Sequence, residues 1–364
     1  MYDDDAIDVA CAASVAELHD SFWEHSGVSP HHTRMRLGDL ERDPRFTTRY
    51  VAVRQGRHWL AAVPVYLPLS SRWPDPAYDV AAQLHLPAAA PHTFLLIGGR
   101  ADRRCGMLEV PRAAPSILDS AAIAAARTAH DMARSEGRLA ALLYADDDGT
   151  RLLRAVQDLG STQCALLGKR YVITDVGTDQ RDYLAGLKSS RRSVVVRDLR
   201  DLAAAEICAV PADWEDVLPE AASLIAEIHR SYGEPDLPAL ARTRLRRRGQ
   251  DPDAECIAFA LWKAGRLQAV TLAWVYADVL ELYEVGLTPG PAENRGLRYL
   301  EVMFYAPLRF MWQRGLRKLD LAMDAGRPKI LRGAIGRDVL GVLLPALSGL
   351  WWRRRAVARP VQRG

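Results

Sequence analysis

Two stretches of this chain carry one pattern about two hundred residues apart. Residues 50–66 read YVAVRQGRHWLAAVPVY, and residues 258–276 read AFALWKAGRLQAVTLAWVY. Each is an apolar run, a short turn with glycine (Gln55-Gly56, Ala264-Gly265) and a second apolar run. That is the signature of a β-hairpin. The elements downstream of each hairpin also match. After the first come a strand at TFLLIGG, an alanine-rich helix over residues 116–135 closed by Gly137, and a strand at RLAALLYADD. After the second come a further strand past Ala277-Asp278, a long helix over residues 296–314, and a strand at RKLDLAM. The spacing predicts a structural duplication.

The remaining elements fit the same scheme. Residues 13–25 (ASVAELHDSFWEH) read as a helix, GTRLLRAVQDLG as a helix and CALLGKRYVITDV as a strand. The expected class is α/β (α+β): two tandem domains, each a mixed central sheet flanked by helices. Their bounds are residues 1–178 and 179–340, with a linker near VGTDQ and the active site in the second. Residues 341–364 would form a C-terminal helix and basic tail. The apolar run VLGVLLPALSGLWW (residues 339–352) contains Pro345 and is too short to span a bilayer. It reads as a terminal helix packed on the core. Trp351 and Trp352, followed by three arginines, would allow peripheral membrane contact.

A net charge of +3 is too small to argue for DNA, but the basic residues cluster at 188–200, 242–248 and 353–363. Such clusters suit a polyanionic ligand. Five cysteines, an odd number without CxxC, argue against a disulfide scaffold and a zinc site and for a reducing, cytoplasmic setting. No histidines sit at metal-ligand spacing, so no metal is expected. The acidic start MYDDDAIDVACAA lacks a signal-peptide n-region. There is no Walker A sequence and no G-x-S-x-G elbow, and LLIGGRADRRCG lacks dinucleotide-loop spacing.

Residues 183–202 (YLAGLKSSRRSVVVRDLRDL) read as one helix. At about 100° per residue, Lys188 and Arg191 fall on the side of Leu184, Leu187, Val195 and Leu202. Cations on an apolar face point to an anion. Lys188, Arg191 and Arg192 are therefore candidate phosphate-binding residues, while Arg197 and Arg200 lie on the solvated side. In RKLDLAMD, alternation puts Asp320 and Asp324 on one face, where either could take a proton from an amine. Glu284, beside Tyr283 in LELYEVGL, is a further candidate. Lys329 and Arg332 in GRPKILRG would hold a donor or an acceptor's anionic group.

The order hairpin, strand, helix, strand, helix, strand is that of the Gcn5-related N-acetyltransferase (GNAT) fold. A tandem of two resembles the Fem peptidoglycan aminoacyltransferases and, more closely, FemAB-like or cellulose-biosynthesis-type acyltransferases. Residues 183–202 and 299–333 carry the resemblance. It implies attack of an amine on an activated acyl carbon, with Asp320, Asp324, Glu284 and Tyr283 as the catalytic candidates. It implies no tightly bound cofactor. The implied donor is aminoacyl-tRNA, met through its acceptor stem, and the acceptor a small-molecule amine of cell-wall or secondary-metabolite biosynthesis. Acyl-CoA is the alternative donor. Its usual pyrophosphate loop, Gln/Arg-x-x-Gly-x-Gly/Ala, is met here by PAENRGLRYL. Arg295 and Gly296 stand in place, but Arg298 replaces the second small residue. The counterpart GGRADRRCGM departs similarly. A non-catalytic binding protein on a degenerate GNAT fold is the third reading.

Overall fold

The computed structural model describes residues 7–24, 28–146, 151–234, 236–289 and 294–345. The strands are β1 (Ile7–Ala12), β2 (Phe46–Gln55), β3 (His58–Pro68), β4 (Phe94–Ile97), β5 (Leu108–Glu109), β6 (Leu139–Asp146), β7 (Gln163–Ile173), β8 (Val210–Ala212), β9 (Glu255–Lys263), β10 (Arg266–Tyr276), β11 (Val279–Leu287), β12 (Lys318–Met323) and β13 (Ile335–Leu343). The helices are α1 (Arg34–Glu41), α2 (Val80–Gln83), α3 (Pro115–Ser135), α4 (Arg151–Asp158), α5 (Gln180–Gly186), α6 (Ser189–Ala204), α7 (Trp214–Ser231), α8 (Pro238–Gly249), α9 (Arg295–Leu300), α10 (Ala306–Arg314) and α11 (Gly326–Leu331).

The strands form one mixed sheet in the order β1-β2-β3-β4-β6-β13-β7-β12-β11-β10-β9-β8, with β5 paired to β3. Both repeated hairpins form, as β2–β3 and β9–β10. Each is extended by an antiparallel strand, β4 or β11, which then pairs in parallel with β6 or β12. Helical segments make the crossover each time: α3 before β6, and the run from α9 to α10 before β12. Between α9 and α10 lies a π turn, Glu301–Tyr305. Pro307 comes just after it and has no N–H to offer the preceding turn.

Three sequence expectations change. First, residues 339–343 belong to strand β13, not to a terminal helix. That strand inserts between β6 and β7, antiparallel to both. Val339, Val342, Leu343 and Leu344 are all buried, as a central strand requires. A short apolar run has no period that separates strand from helix. The rest of the predicted helix and tail, with Trp351 and Trp352, lies outside the described residues. Second, residues 13–25 hold two 3₁₀ turns, Val15–Glu17 and Asp20–Phe22. Ser14 and His19 cap them by accepting from N–H groups two residues on, which competes with a longer helix. Third, residues 183–202 form two helices, α5 and α6, broken at Leu187 and Lys188.

That break removes the patterning conflict. The helical phase restarts at Ser189, and Lys188 sits exposed at the N-cap. The charge on the buried face of α6 is Asp198, which Arg332 and the Tyr305 hydroxyl meet. Two helices beyond the predicted set, α7 and α8, cover the second half through Trp214, Ile225, Ala241 and Leu245. Gly286 lets α7 approach the sheet: a Cβ there would lie 2.7 Å from that of Leu224. Among the described residues no helix is long and apolar enough to cross a membrane.

Candidate active site

Parallel pairing of β11 with β12 covers Val279↔Lys318, Leu280↔Leu319 and Glu281↔Asp320, then stops. Beyond that point the strands part. Leu282–Val285 on one side and Ala322–Asp324 on the other line a cavity of about 1020 Å³. The first half of the chain closes it with His31, Asp75, Asp102, Arg103, Tyr144 and Arg170. The end of α7 and the residues after it add His229, Tyr232 and Glu234.

Five non-glycine residues around this cavity have left-handed backbone: Asp102, Arg103, Tyr144, Ala322 and Asp324. Such conformations cost of order 1–3 kcal/mol each and persist only where surrounding structure holds them. Two devices do so. The loop bearing Asp102 and Arg103 opens on Gly98-Gly99, where a Cβ on Gly99 would stand 2.0 Å from the Arg104 carbonyl oxygen. At the end of β12, Lys329 donates to the carbonyls of Ala322 (3.3 Å) and Met323 (2.7 Å), and Asp320 accepts from the Ala322 N–H (2.8 Å).

Behind the cavity lies a buried ionic network joining both halves. His31 places Nδ1 3.2 Å from Asp102 and Nε2 2.8 Å from Glu281. Arg104 reaches Glu281, Asp320 (2.7 Å) and Asp146 (3.3 Å). Arg170 donates to Asp146 at 2.9 Å. Asp102 also accepts from Arg36 (2.8 Å) and Arg248 (3.3 Å). Burial opposes charge on Asp102, but Arg36 and Arg248 outweigh it and hold the carboxyl well below its usual range. Glu281 is held low in the same way, with Arg104 and His31 prevailing over burial.

The cavity wall also carries a histidine in a catalytic posture. His229 Nδ1 lies 2.8 Å from Asp236, and Nε2 lies 3.7 Å from Glu284, beyond hydrogen-bond reach. A carboxylate at Nδ1 fixes the tautomer that leaves Nε2 free to accept a proton. Glu284 itself is engaged by Arg244. Tyr283 packs at a tilt against Trp274 with ring centroids 4.2 Å apart, and burial raises its phenol above the ordinary value.

Of the residues singled out in the sequence, Tyr283, Glu284 and Asp324 line the cavity. Asp320 does not: it is clamped in the network by Arg104, 2 % exposed. Nor do Asp320 and Asp324 share a strand face, because the left-handed Ala322 ends the alternation. Asp324 is instead a rim residue, 3.1 Å from Arg103, which also approaches Glu234 at 3.6 Å. None of the cationic candidates lines the cavity. Arg192 caps α5 by donating to the carbonyls of Leu184, Ala185 and Leu187. Arg295 donates to the Thr288 carbonyl, and Gly296 is exposed in the first turn of α9. Arg332 is buried on Asp198 and Lys329 on the two carbonyls of β12. Lys188 is exposed and Arg191 half-buried on α6.

Sequence reasoning missed His31, Asp102, Arg104, His229 and Asp236. The last pair left a local trace, a histidine near a helix end and an acid seven residues on past Gly233. The others left none, since their partners lie as far as 250 residues away.

No protein-family model matches the sequence, and no curated protein matches it. Solved structures do resemble it. FemX superposes with a TM-score of 0.58, 9% identity, and coverage of 92% of this chain and 96% of its own. L-PGS from Bacillus licheniformis gives a TM-score of 0.52 at 10% identity, covering 93% and 94%. A conserved protein of unknown function from Bacteroides thetaiotaomicron gives 0.52 at 10% identity, covering 93% and 100%. At such identities the likeness speaks for architecture, and in architecture this chain has the tandem GNAT, FemX-like fold.

Proposed function

We propose that the protein is an N-acyltransferase that joins an activated acyl or aminoacyl group to an amine. The observation that carries this reading is His229, oriented by Asp236 on the wall of a carboxylate-lined cavity where two parallel strands part. Asp75, Glu234 and Asp324 suit a cationic amine approaching from solvent. The ammonium first gives one proton to solvent, because only the neutral amine has a lone pair, and that amine loses a second proton as it attacks. Its nitrogen bonds to the acyl carbon, Nε2 of His229 takes the proton, and the carbon–oxygen or carbon–sulfur bond to the carrier breaks. The proton then passes to the leaving oxygen or sulfur, so no covalent enzyme intermediate is needed. Residues 179–340 supply His229 and Glu284, while residues 1–178 close the cavity.

The likeness to FemX supports aminoacyl-tRNA as donor, and an ester to a ribose hydroxyl meets the chemistry. Acyl-CoA is the second reading, favoured by the GNAT-like crossover that begins with α9. Five free cysteines fit action in a reducing cytoplasm. A donor screen separates the readings. Charged tRNA and acyl-CoAs are each offered with a panel of amines, and amide product is monitored by mass spectrometry. Product lost on RNase treatment assigns tRNA. Product with free thiol released, indifferent to RNase, assigns CoA. No amide from either donor overturns the transferase reading and leaves a binding protein.

A further inference from the structure

A second concavity, of about 330 Å³, opens between α1 and α8. Arg36 and Asp39 of α1 and Arg42 just past its end line it on one side, and Arg244, Arg247 and Arg248 of α8 on the other. Five guanidiniums thus face one carboxylate. That carboxylate is already shared, since Asp39 accepts from both Arg42 and Arg247. The acids behind the groove are shared as well. Asp102 serves Arg36, Arg248 and His31, and Asp236 serves Arg244 and His229.

Arg248 shows the surplus of donors most plainly. It is 4 % exposed, and its guanidinium lies 4.6 Å from the Trp274 ring centroid and 5.6 Å from that of Tyr283. One terminal nitrogen donates to the Pro30 carbonyl and the other to Asp102. Its Nε is buried with no hydrogen-bond partner. Leaving a buried charged donor unpaired is costly, so Arg248 carries charge that its protein partners do not fully meet. Planar guanidinium forks match the spacing of phosphate oxygens, and several converging on one groove suit a ligand with more than one negative charge.

We propose that this arginine groove binds the phosphate groups of a substrate, as a phosphate ester or a pyrophosphate. Asp102 and Glu284, which hold three of the arginines from behind, also line the reaction cavity, so the bound phosphates sit next to the reacting groups. The site stands whether or not acyl transfer takes place in that cavity, because it is read from anion binding alone.

The test is calorimetric titration of the full chain with inorganic pyrophosphate at fixed ionic strength. One site is expected. Arg42 and Arg247 are 64% and 54% exposed in their side chains, so replacing them leaves the core intact. The double variant Arg42→Gln/Arg247→Gln should weaken binding by about tenfold or more, as loss of charged hydrogen bonds implies. Arg200→Gln, at an exposed pair with Asp201, should leave it unchanged. Asp39→Asn, which removes the lining carboxylate, should tighten it, and gives a second reading should the double variant fail to fold. Displacement of pyrophosphate by CoA or by an acceptor-stem RNA then names the source of the phosphates. Absence of pyrophosphate binding, equal losses in the Arg200 variant, or displacement by neither molecule overturns the proposal.

Discussion

Asp102→Asn isolates the charge at the centre of the buried network. Asp102 has φ +59°, a conformation that asparagine tolerates nearly as well, so the backbone should not move. The side chain keeps its shape and loses its charge. Arg36 and Arg248 then remain, with side chains 14% and 5% exposed and no other carboxylate partner among the described residues. Both guanidiniums are largely buried, so at about 3 Å solvent restores only part of the attraction they lose. Breaking a buried pair on one side costs about 3–5 kcal/mol. Retention of the Asn carbonyl as an acceptor brings the expectation to about 3 kcal/mol. Reversible urea unfolding monitored by tryptophan fluorescence measures it. Adding Arg36→Met and Arg248→Met should recover part of the loss, since no uncompensated charge then remains. A loss below about 1 kcal/mol, or strictly additive effects, would show that water reaches this network and would refute the reasoning.

Three further outcomes are expected. His229→Gln should lower kcat by about 10²–10⁴-fold with little change in KM, the usual contribution of a positioned general base, while Asp236→Asn should cause a smaller loss. Burial brings the Lys329 ammonium down to about 8 from 10.5. The unfolded chain therefore holds more protons than the folded one between those values. Stability should rise by about 3 kcal/mol from pH 8 to pH 10.5, and that slope should be absent from Lys329→Met in matched melts. Arg192→Ala should destabilise the protein by about 1 kcal/mol, because three carbonyls at the α5 break lose their donor, and should leave donor affinity unaltered.

Local pattern carried the architecture a long way. The repeated hairpins, the helix closed by Gly137 and the strand at Lys318–Met323 all announce themselves through period and turn chemistry. The site was legible where it lies on or just past such an element, as Tyr283 and Glu284 do on β11 and Asp324 does after β12. Arg104 stands in a loop with no periodicity, and its carboxylates are 42, 177 and 216 residues away. Only the folded sheet brings them together. Residues 183–202 read as one helix for a related reason. A helical wheel assumes one unbroken phase, and the break at Leu187 becomes visible only in the fold, where Arg192 closes the preceding turn.

The place of β13 bears on how the chain can be made. Ribosomal synthesis delivers β1 to β7 long before Ile335–Leu343, yet β6 and β7 do not pair with each other and join the sheet side by side only through that last strand. Until it emerges, the apolar edge of Leu139–Asp146 is an open template for any extended segment. The leading half therefore cannot finish folding as it leaves the ribosome. A nascent chain stalled before Ile335 should therefore engage chaperones, and a gene fragment ending there should aggregate on expression, as sedimentation of its lysate would check.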